Sequence, residues 1–280
     1  MALAVASTSV ATTNSGTSLV ITKPSGVAVG DVLVVVVNAS VLTVPTISGF
    51  TQGVTANNTS SNNARVTTTL LWRIATSGDV AASNYTISGG SSSLGAATML
   101  RVTGWTQGNP IFSTVANQSG TATRRSQQLL IMGVSCNKTT STNITVGSYS
   151  VTSSDSNPTW VEVQDQNYDT GILVYVSSVA YALSSNTSDI TNYGFGFSDA
   201  RVNPPASFLI VINSPINVTP NVSHLDTLAT AIGLNGANSA TADVQHLAIV
   251  PTINGVSSRA NNPIWTPEVK TATTWTPEIK

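Results

Sequence analysis

The chain has 280 residues, of which 8% are charged, with 11 basic side chains against 12 acidic ones. So few basic residues, spread thinly, cannot form the Lys/Arg surface that attracts nucleic acid or anionic lipid, which argues against both partner classes. Hydrophobic residues make up 41% of the chain and occur in short β-branched runs, which predicts a folded protein. Weak surface charge supplies little repulsion between molecules, so we expect a homo-oligomer or a larger assembly.

The N-terminal segment shows no targeting signal. Residues 1–8 lack a basic start and a sustained apolar stretch, and the first positive charge is Lys23. We therefore expect no secretory signal peptide, and synthesis in the cytoplasm of the producing cell. No apolar run in the sequence approaches the length needed to cross a membrane.

The segment from Ser18 to Asn38 contains the strongest strand signal. Val32 to Val37 is an uninterrupted run of Val and Leu, opened by a Gly-Asp pair and closed by Asn38. The run is too short for an ordinary helix and has no polar face. It predicts a strand buried on both faces at the centre of a sandwich.

A turn, a loop and a second clear strand follow. Residues 44–50 predict a turn, and the polar stretch from Gln52 to Asn63 predicts an exposed loop. From Arg65 to Ala75 apolar and polar side chains alternate, which predicts a half-buried strand. Trp72 falls on the apolar face of that strand, so we interpret it as a core residue and not as a sugar-stacking platform.

Short strands continue to residue 212, separated by turns rich in Gly, Ser and Asn. No helical pattern lies between them, which disfavours a parallel α/β sheet. The pattern favours an all-β fold, an antiparallel β-sandwich of jelly-roll or Ig-like type. The further predicted strands are 84–88, 96–102, 128–136, 144–151, 160–163, 171–183 and 207–212.

The sequence carries no catalytic motif. His224 and His246 lie in no recognisable pattern, and there is no nucleophile elbow, phosphate loop or zinc-protease helix. The single cysteine, Cys136, falls on the apolar side of an alternating run, which predicts a buried structural thiol and not a nucleophile. We therefore expect no enzymatic activity and no cofactor.

Two groups of side chains are candidates for ligand binding. Asp155, Asp165 and Asp169 flank one predicted strand and could gather Ca²⁺ with backbone carbonyls, but their spacing matches no known calcium loop, which favours solvated turn residues. Three aromatic residues could stack on a sugar, although packing on their own turns is the favoured interpretation. These residues are Trp105, Tyr149 and Tyr193.

The composition changes after about residue 200. Eight of the 12 prolines lie beyond this point, which predicts a domain boundary near residues 213–220 and an extended arm after it. One short helix is predicted at about 224–232, with a Ser cap at its start and a Gly at its end. The predicted organisation is a β-sandwich domain over 1–215 and a C-terminal arm over 216–280.

The arm ends in a ten-residue repeat over residues 265–280. Trp-Thr-Pro-Glu-Val-Lys begins at Trp265 and Trp-Thr-Pro-Glu-Ile-Lys begins at Trp275. The even separation places both rings on the same side of an extended strand. Pro267 and Pro277 hold the backbone extended, which reduces the entropy lost on docking. We predict that these four residues are assembly contacts with a neighbouring subunit or another protein of the assembly.

Several turn and core residues occur in an order that resembles a known family. They are Pro24, Gly26, Gly30-Asp31, Gly49-Phe50, Gly78-Asp79, Tyr85-Thr86, Leu100 to Gly104, Asn109 to Ile111 and the strand Ser207 to Ile212. Over about residues 15–215 this pattern resembles a β-sandwich domain of the minor tail and tail-fibre proteins of tailed bacteriophages.

The resemblance implies a structural protein of the phage particle. A minor tail or tail-tip protein, which assembles by symmetry with other virion proteins and contacts the host surface, is the first expectation, with a host-surface glycan as a further candidate partner. A capsid decoration or head-fibre protein is the alternative within this class, since it needs the same uncharged sandwich and arm. A carbohydrate-binding adhesin module is the alternative from another class. A polysaccharide-degrading enzyme is disfavoured because the acidic residues are scattered.

Overall fold

The computed structural model describes residues 3–13, 16–40, 44–59, 65–89, 94–105, 110–118, 121–124, 127–138, 143–169, 174–199 and 204–213. All of them belong to the first of the two units into which the chain divides, Met1–Thr219. The predicted arm over 216–280, its short helix and its Trp repeat lie outside the described residues.

The described residues form strands almost throughout, with one short helix. In the first half they are β1 Ala4–Thr12, β2 Ser18–Thr22, β3 Val32–Ala39, β4 Thr46–Ile47, β5 Thr51–Thr59, β6 Arg65–Ile74, α1 Ser77–Ala81, β7 Asn84–Ser88 and β8 Leu94–Thr103. In the second half they are β9 Ile111–Ala116, β10 Gln128–Lys138, β11 Val146–Thr152, β12 Trp160–Asp169, β13 Val174–Ser184, β14 Asn192–Phe197 and β15 Ala206–Asn213.

Backbone pairing arranges these strands into four sheets. The first half forms a five-stranded sheet in the order β1-β8-β3-β6-β5 and a three-stranded sheet in the order β2-β7-β4. The second half forms a five-stranded sheet in the order β12-β13-β10-β15-β9 and the two-stranded sheet β11-β14. The strand pairs are antiparallel. The predicted all-β antiparallel sandwich is confirmed.

The strand β3 is buried on both faces, as its uninterrupted apolar run predicts. It lies between β8 and β6, and every residue along it is buried. Val34 and Val36 belong to a core shared with the second five-stranded sheet. Val35 and Val37 belong to a second core, beneath the three-stranded sheet. Two apolar faces are needed because a sheet covers each side of this strand.

The strand β10 has the corresponding place in the second half. Leu129 and Ile131 point into the core between the two five-stranded sheets. Leu130 and Met132 pack against the two-stranded sheet on the other side. The sheets therefore form four layers, in which the two five-stranded sheets are the inner pair.

Each half has jelly-roll topology. Strands one to eight of the first half are arranged as 1-8-3-6-5 and 2-7-4, which is the jelly-roll order with the fifth strand moved to the edge of the larger sheet. The second half repeats this order. Its larger sheet, β9-β15-β10-β13-β12, corresponds to β1-β8-β3-β6-β5, and its smaller sheet, β14-β11, corresponds to β7-β4. An isolated antiparallel bridge between Ala122 and Ile190 takes the place of the β2–β7 pair. The predicted domain over 1–215 therefore contains two jelly rolls in tandem.

The two jelly rolls pack against each other in a reciprocal way. The strand β1 lies against β12, and β5 lies against β9. The strand β12 is the counterpart of β5, and β9 is the counterpart of β1. At each edge of the interface, the first strand of one jelly roll therefore meets the fifth strand of the other. This is the self-complementary arrangement of a two-fold symmetric dimer, here built within one chain.

Three local predictions are wrong. The stretch from Gln52, predicted as a loop, begins in the edge strand β5, whose polar side chains suit a strand with a solvated edge. The strand β6, predicted as half buried, is largely buried on both faces because the three-stranded sheet covers Leu71. The segment between the predicted strands 65–75 and 84–88, predicted as one of the turns rich in Gly, Ser and Asn, contains α1.

Candidate functional site

The predicted assembly contacts lie outside the described residues. Trp265, Pro267, Trp275 and Pro277 therefore stay predictions, and both histidines lie in the same part of the chain. Within residues 3–213 the candidates for a site are the motif residues of the resemblance, the carboxylates, the aromatic residues and one cavity.

The motif residue Asp31 forms an ion pair that closes the loop before β3. Its Oδ2 accepts hydrogen bonds from Arg101 Nε at 2.6 Å and from the Ala28 N–H at 2.8 Å. Gly26 has a φ of +70°, and a Cβ there would lie 2.7 Å from an Arg101 nitrogen, which favours glycine. These motif residues fasten the loop to β8, and their opposite charges neutralise each other within the fold.

A second motif cluster surrounds Asp79 at the start of α1. Asp79 accepts hydrogen bonds from the Thr76 N–H and hydroxyl, each at 2.8 Å, and from the Tyr85 hydroxyl at 2.9 Å. Arg73 lies 3.2 Å from the same carboxylate and 5.4 Å from the Phe50 ring centre. Burial raises the pKa of Asp79, but the Thr76 and Tyr85 hydrogen bonds and the Arg73 charge outweigh it and hold the pKa below its ordinary value. The motif residues therefore form a structural cluster.

Two of the three carboxylates considered for calcium form separate hydrogen bonds. Asp155 accepts the Ser188 N–H at 2.9 Å, and Asp165 accepts the Val146 N–H at 3.0 Å. Asp169 is the last residue of β12. Among the described residues no three His, Cys, Asp or Glu side chains are grouped closely enough to hold a metal ion. Asp155 and Asp165 are therefore not brought together.

Asp165 belongs to a row of β12 side chains that covers one edge of the segment leading into β11. Asn167 accepts the Ile144 N–H at 2.9 Å and donates to the Ile144 carbonyl at 2.8 Å. Since β11 pairs with β14 along its other edge, these side chains satisfy backbone groups that an edge strand would leave exposed. Burial raises the pKa of Asp165 to about 6, although the bond from Val146 acts in the opposite direction.

The aromatic residues considered for sugar stacking lie within the fold. Tyr149, on β11, is buried and its hydroxyl contacts Ser178. Tyr193, on β14, is buried and its hydroxyl accepts the Gln118 N–H at 2.9 Å. Trp105 packs, partly buried, against the core between the five-stranded sheets. Both tyrosines are strand residues of the core and not loop aromatics, because the sheet β11-β14 covers the second five-stranded sheet.

The predicted burial of Cys136 is confirmed. The thiol lies in the core beneath the β11-β14 sheet. Burial, with a smaller effect from the nearby Asp165 charge, raises the pKa of Cys136 to about 12. The thiol is therefore protonated at neutral pH, and it lacks the thiolate character that a nucleophile needs.

Arg124 is a buried cation that the sequence analysis did not single out. Its guanidinium has no hydrogen-bond partner among the described residues, and its closest carboxylate oxygen, on Asp155, lies 4.0 Å away. Burial lowers the pKa of Arg124, and the Asp155 charge opposes that effect. The Arg124 backbone N–H donates to Asp189 at 3.2 Å. Asp155 is the acidic residue that offsets part of this buried charge.

A cavity of about 300 Å³ lies where the start of β1 meets the start of β10 and the end of β13. Its surface is mostly apolar, and Leu183 is half exposed. Gln128 is buried in its wall, where Nε2 donates to the Asn186 carbonyl at 2.8 Å. The Oε1 of the same amide has no hydrogen-bond partner among the described residues. The lining residues are Leu3, Gln127, Gln128, Leu183, Ser184 and Ser185.

No family model, curated protein or solved structure matches the chain. The similarity to the phage tail domain therefore stays a resemblance. Across the part of the chain that the structure describes, no helix combines the length and apolar character of a membrane span.

Proposed function

We propose that the protein is a non-enzymatic structural component of a bacteriophage particle, assembled by symmetry and attached to its neighbours through residues 216–280. The observation that carries the proposal is the pair of jelly rolls packed through their five-stranded sheets, in a chain with only 8% charged residues. Jelly rolls recur in viral capsid proteins. Four stacked β-sheets with few charged side chains suit a protein that is surrounded by other subunits.

The engagement of the polar side chains supports a role without catalysis. Asp31 and Asp79 are paired with Arg101 and Arg73. Asp165 accepts a backbone N–H in the interior of the fold. A hydrolytic site would need carboxylates that face a substrate across an open cleft. The carboxylates of Asp31, Asp79 and Asp165 instead hold loops and strand edges in place.

The position in the particle has two candidates. The resemblance favours the tail or tail tip, where the protein would also contact the host surface. The jelly-roll topology favours the capsid surface, as a decoration or head-fibre protein, because this topology recurs in capsids. Cryo-electron microscopy of particles carrying an antibody fragment bound to the protein distinguishes tail from head.

Carbohydrate binding is the rival function, because lectins also use jelly rolls. A carbohydrate-binding site usually contains an aromatic ring exposed beside polar groups. Tyr149 and Tyr193 are buried, so these rings are not available for stacking. Binding of the purified protein to a glycan array at micromolar concentration, lost on one surface substitution, would favour the rival.

The experiment that tests the proposal is deletion of residues 261–280. We expect the truncated protein to be soluble and to be missing from purified particles, because both Trp residues of the repeat are removed. A Lys270→Ala/Lys280→Ala variant keeps the Trp and Pro residues and is expected to enter particles normally. Wild-type occupancy of the truncated protein, measured by quantitative mass spectrometry of particles, would disprove the role of the arm.

A further inference from the structure

The strand β14 has one edge that no described strand covers. It pairs with β11 along one side. In the first jelly roll the counterpart strand β7 is paired on both sides, with β4 and with β2. In the second jelly roll the place of β2 is taken only by the bridge between Ala122 and Ile190, which lies before the start of β14. Within the described part of the chain, the second side of β14 is therefore left without a neighbouring strand.

The hydrogen bonds of the β11-β14 pair show which backbone groups face this edge. The Val146 N–H lies opposite Phe197 and donates to Asp165 at 3.0 Å, so it does not bond to β14. Because backbone groups alternate in direction along a strand, the N–H and C=O groups of Phe197, and those of Phe195, point away from β11. Among the described residues, no backbone partner meets these groups.

The residues along this edge are partly exposed and uncharged. Gly194 to Phe197 are each partly exposed. The rings of Phe195 and Phe197 pack on the core beneath the sheet and meet edge to face, with their centres 5.4 Å apart. The strand contains no proline and no lysine, and the bulge in this pair lies on β11. Such features protect edge strands in other proteins, and an edge that lacks them is suited to pair with a further strand.

We propose that β14 pairs with β14 of a second copy of the chain, antiparallel and across a two-fold axis. The Tyr193 N–H is bonded to Asn192 Oδ1 at 2.8 Å, so the groups that remain for pairing are those of Phe195 and Phe197. The two-fold register that uses both places Phe195 of each copy opposite Phe197 of the other, and Gly196 opposite Gly196. At both Phe195 and Phe197 positions the facing residues then exchange their N–H···O bonds.

The strand is self-complementary, which favours a second copy as the partner. The residues whose backbone groups face the edge lie symmetrically about Gly196, so one patch serves both chains, as a two-fold contact requires. No residue of β14 is charged, so two identical strands meet without like-charge repulsion. Pairing joins two sheets of two strands into one sheet of four, in the order β11-β14-β14-β11. The added strands cover the partly exposed aromatic rims of both cores.

This inference rests on the proposed assembly by symmetry, and it does not involve residues 216–280. It is tested with full-length chains that carry opposite charges at Gly196. A Cβ on Gly196 would lie 3.5 Å from Ser148 Cβ, which is ordinary contact, so the folded chain accommodates Gly196→Lys and Gly196→Glu. We expect each variant alone to self-associate about fivefold more weakly than the wild type in analytical ultracentrifugation, because like charges lie side by side at the axis. A mixture of the two variants should recover the association as a one-to-one complex.

The matched control is Gly147→Lys, which places the same charge on β11. Gly147 lies opposite Gly196 in the same sheet, and nothing lies within 4 Å of a Cβ there. We expect this variant to associate like the wild type, because its charge is one strand further from the axis. Circular dichroism confirms that the variants are folded.

Hydrogen exchange of the wild type provides a measurement that needs no substitution. We expect the Phe195 and Phe197 amides, followed by NMR, to exchange slowly in concentrated protein and rapidly in dilute protein. Rapid exchange at every concentration would show an unpaired edge, and slow exchange at every concentration would show an edge covered within one chain. Either result, or equal association of Gly196→Lys and the wild type, would overturn the inference.

These outcomes are distinct from failure of the proposed function. If the charge variants associate like the wild type while deletion of 261–280 prevents entry into particles, the β14 contact is wrong and the proposed function stands. If the two charge variants combine while the truncated protein enters particles at wild-type occupancy, the role of the arm is wrong and the β14 contact stands.

Discussion

The ring of Tyr168, in the second jelly roll, occupies the space that a side chain at Gly95, in the first, would need. A Cβ on Gly95 would lie 2.0 Å from Tyr168 Cζ. Tyr168 is buried and stacks on Tyr175 with ring centres 5.0 Å apart and planes within 9° of parallel. The stacked ring has little room to move, so the close approach of the two jelly rolls depends on glycine at this position.

Substitution of Gly95 by Ala should destabilise the whole sandwich. The added methyl group collides with a packed ring, and relief requires a shift of β8 or of β12, at a cost of about 3 kcal/mol. The free energy of unfolding in urea is the measurement. Gly147→Ala is the matched control, because nothing lies within 4 Å of a Cβ at that strand position. Equal stability of the two variants would contradict this account of the interface.

Removal of the Tyr168 hydroxyl should leave stability unchanged or raise it. This buried hydroxyl has no hydrogen-bond partner among the described residues, so Tyr168→Phe removes an unsatisfied polar group. Tyr193→Phe is the matched change at a satisfied hydroxyl, which contacts the Gln118 N–H at 2.9 Å and the Ser207 hydroxyl at 3.0 Å. We expect Tyr193→Phe to lose about 1 kcal/mol. Thermal melting of both variants tests the difference, and a larger loss for Tyr168→Phe would refute the prediction.

A charge at Val35 should prevent folding. Val35 is fully buried and packs beneath the three-stranded sheet, so an aspartate there would be unpaired in the core. We expect Val35→Asp to accumulate as insoluble protein. Val20→Asp, at a valine that is 54% exposed, should remain soluble. The soluble fraction after expression is the measurement, and a soluble, normally folded Val35→Asp protein would disprove the two-face burial of β3.

The elements that the sequence predicts well are those buried on both faces. The runs in β3 and β10 are apolar at successive positions because each side of the strand faces another sheet. The strands that were missed lie at edges or in outer sheets. In β1 polar and small residues alternate with few large apolar ones, and in β14 two glycines, which are uncommon in strands, separate the aromatic residues, so the pattern that marks a strand is weak. The two-fold repetition of topology is invisible in the sequence because it resides in strand order and not in residue identity.

The candidate sites depend on contacts that local sequence does not encode. Gln128 and Leu3 line one cavity although they lie in different jelly rolls. The Asp31 and Arg101 pair joins residues that are 70 positions apart. The resemblance singled out both residues as part of a pattern, and the structure adds the reason, which is an ion pair that fastens a loop.

The stability of the protein should depend on pH through Asp165. Burial raises the pKa of this carboxyl to about 6 from an ordinary value of 3.8, so the folded state binds the proton more tightly than the unfolded state does. Stability contributed by the protonated form is therefore present near pH 4 and is lost as the pH rises through about 6.

Asp165→Asn keeps an acceptor for the Val146 N–H, bonded at 3.0 Å in the wild type, and removes the charge. We expect it to melt at a higher temperature than the wild type at pH 8, with the difference closing towards pH 4. Asp155→Asn is the matched control, because the Ser188 backbone hydrogen bond is the largest effect on Asp155 and holds its pKa below 3.8. Its difference from the wild type should therefore stay nearly constant between pH 8 and pH 4 and change only at lower pH. A constant difference between Asp165→Asn and the wild type across this range would rule out the titration of Asp165 as the cause.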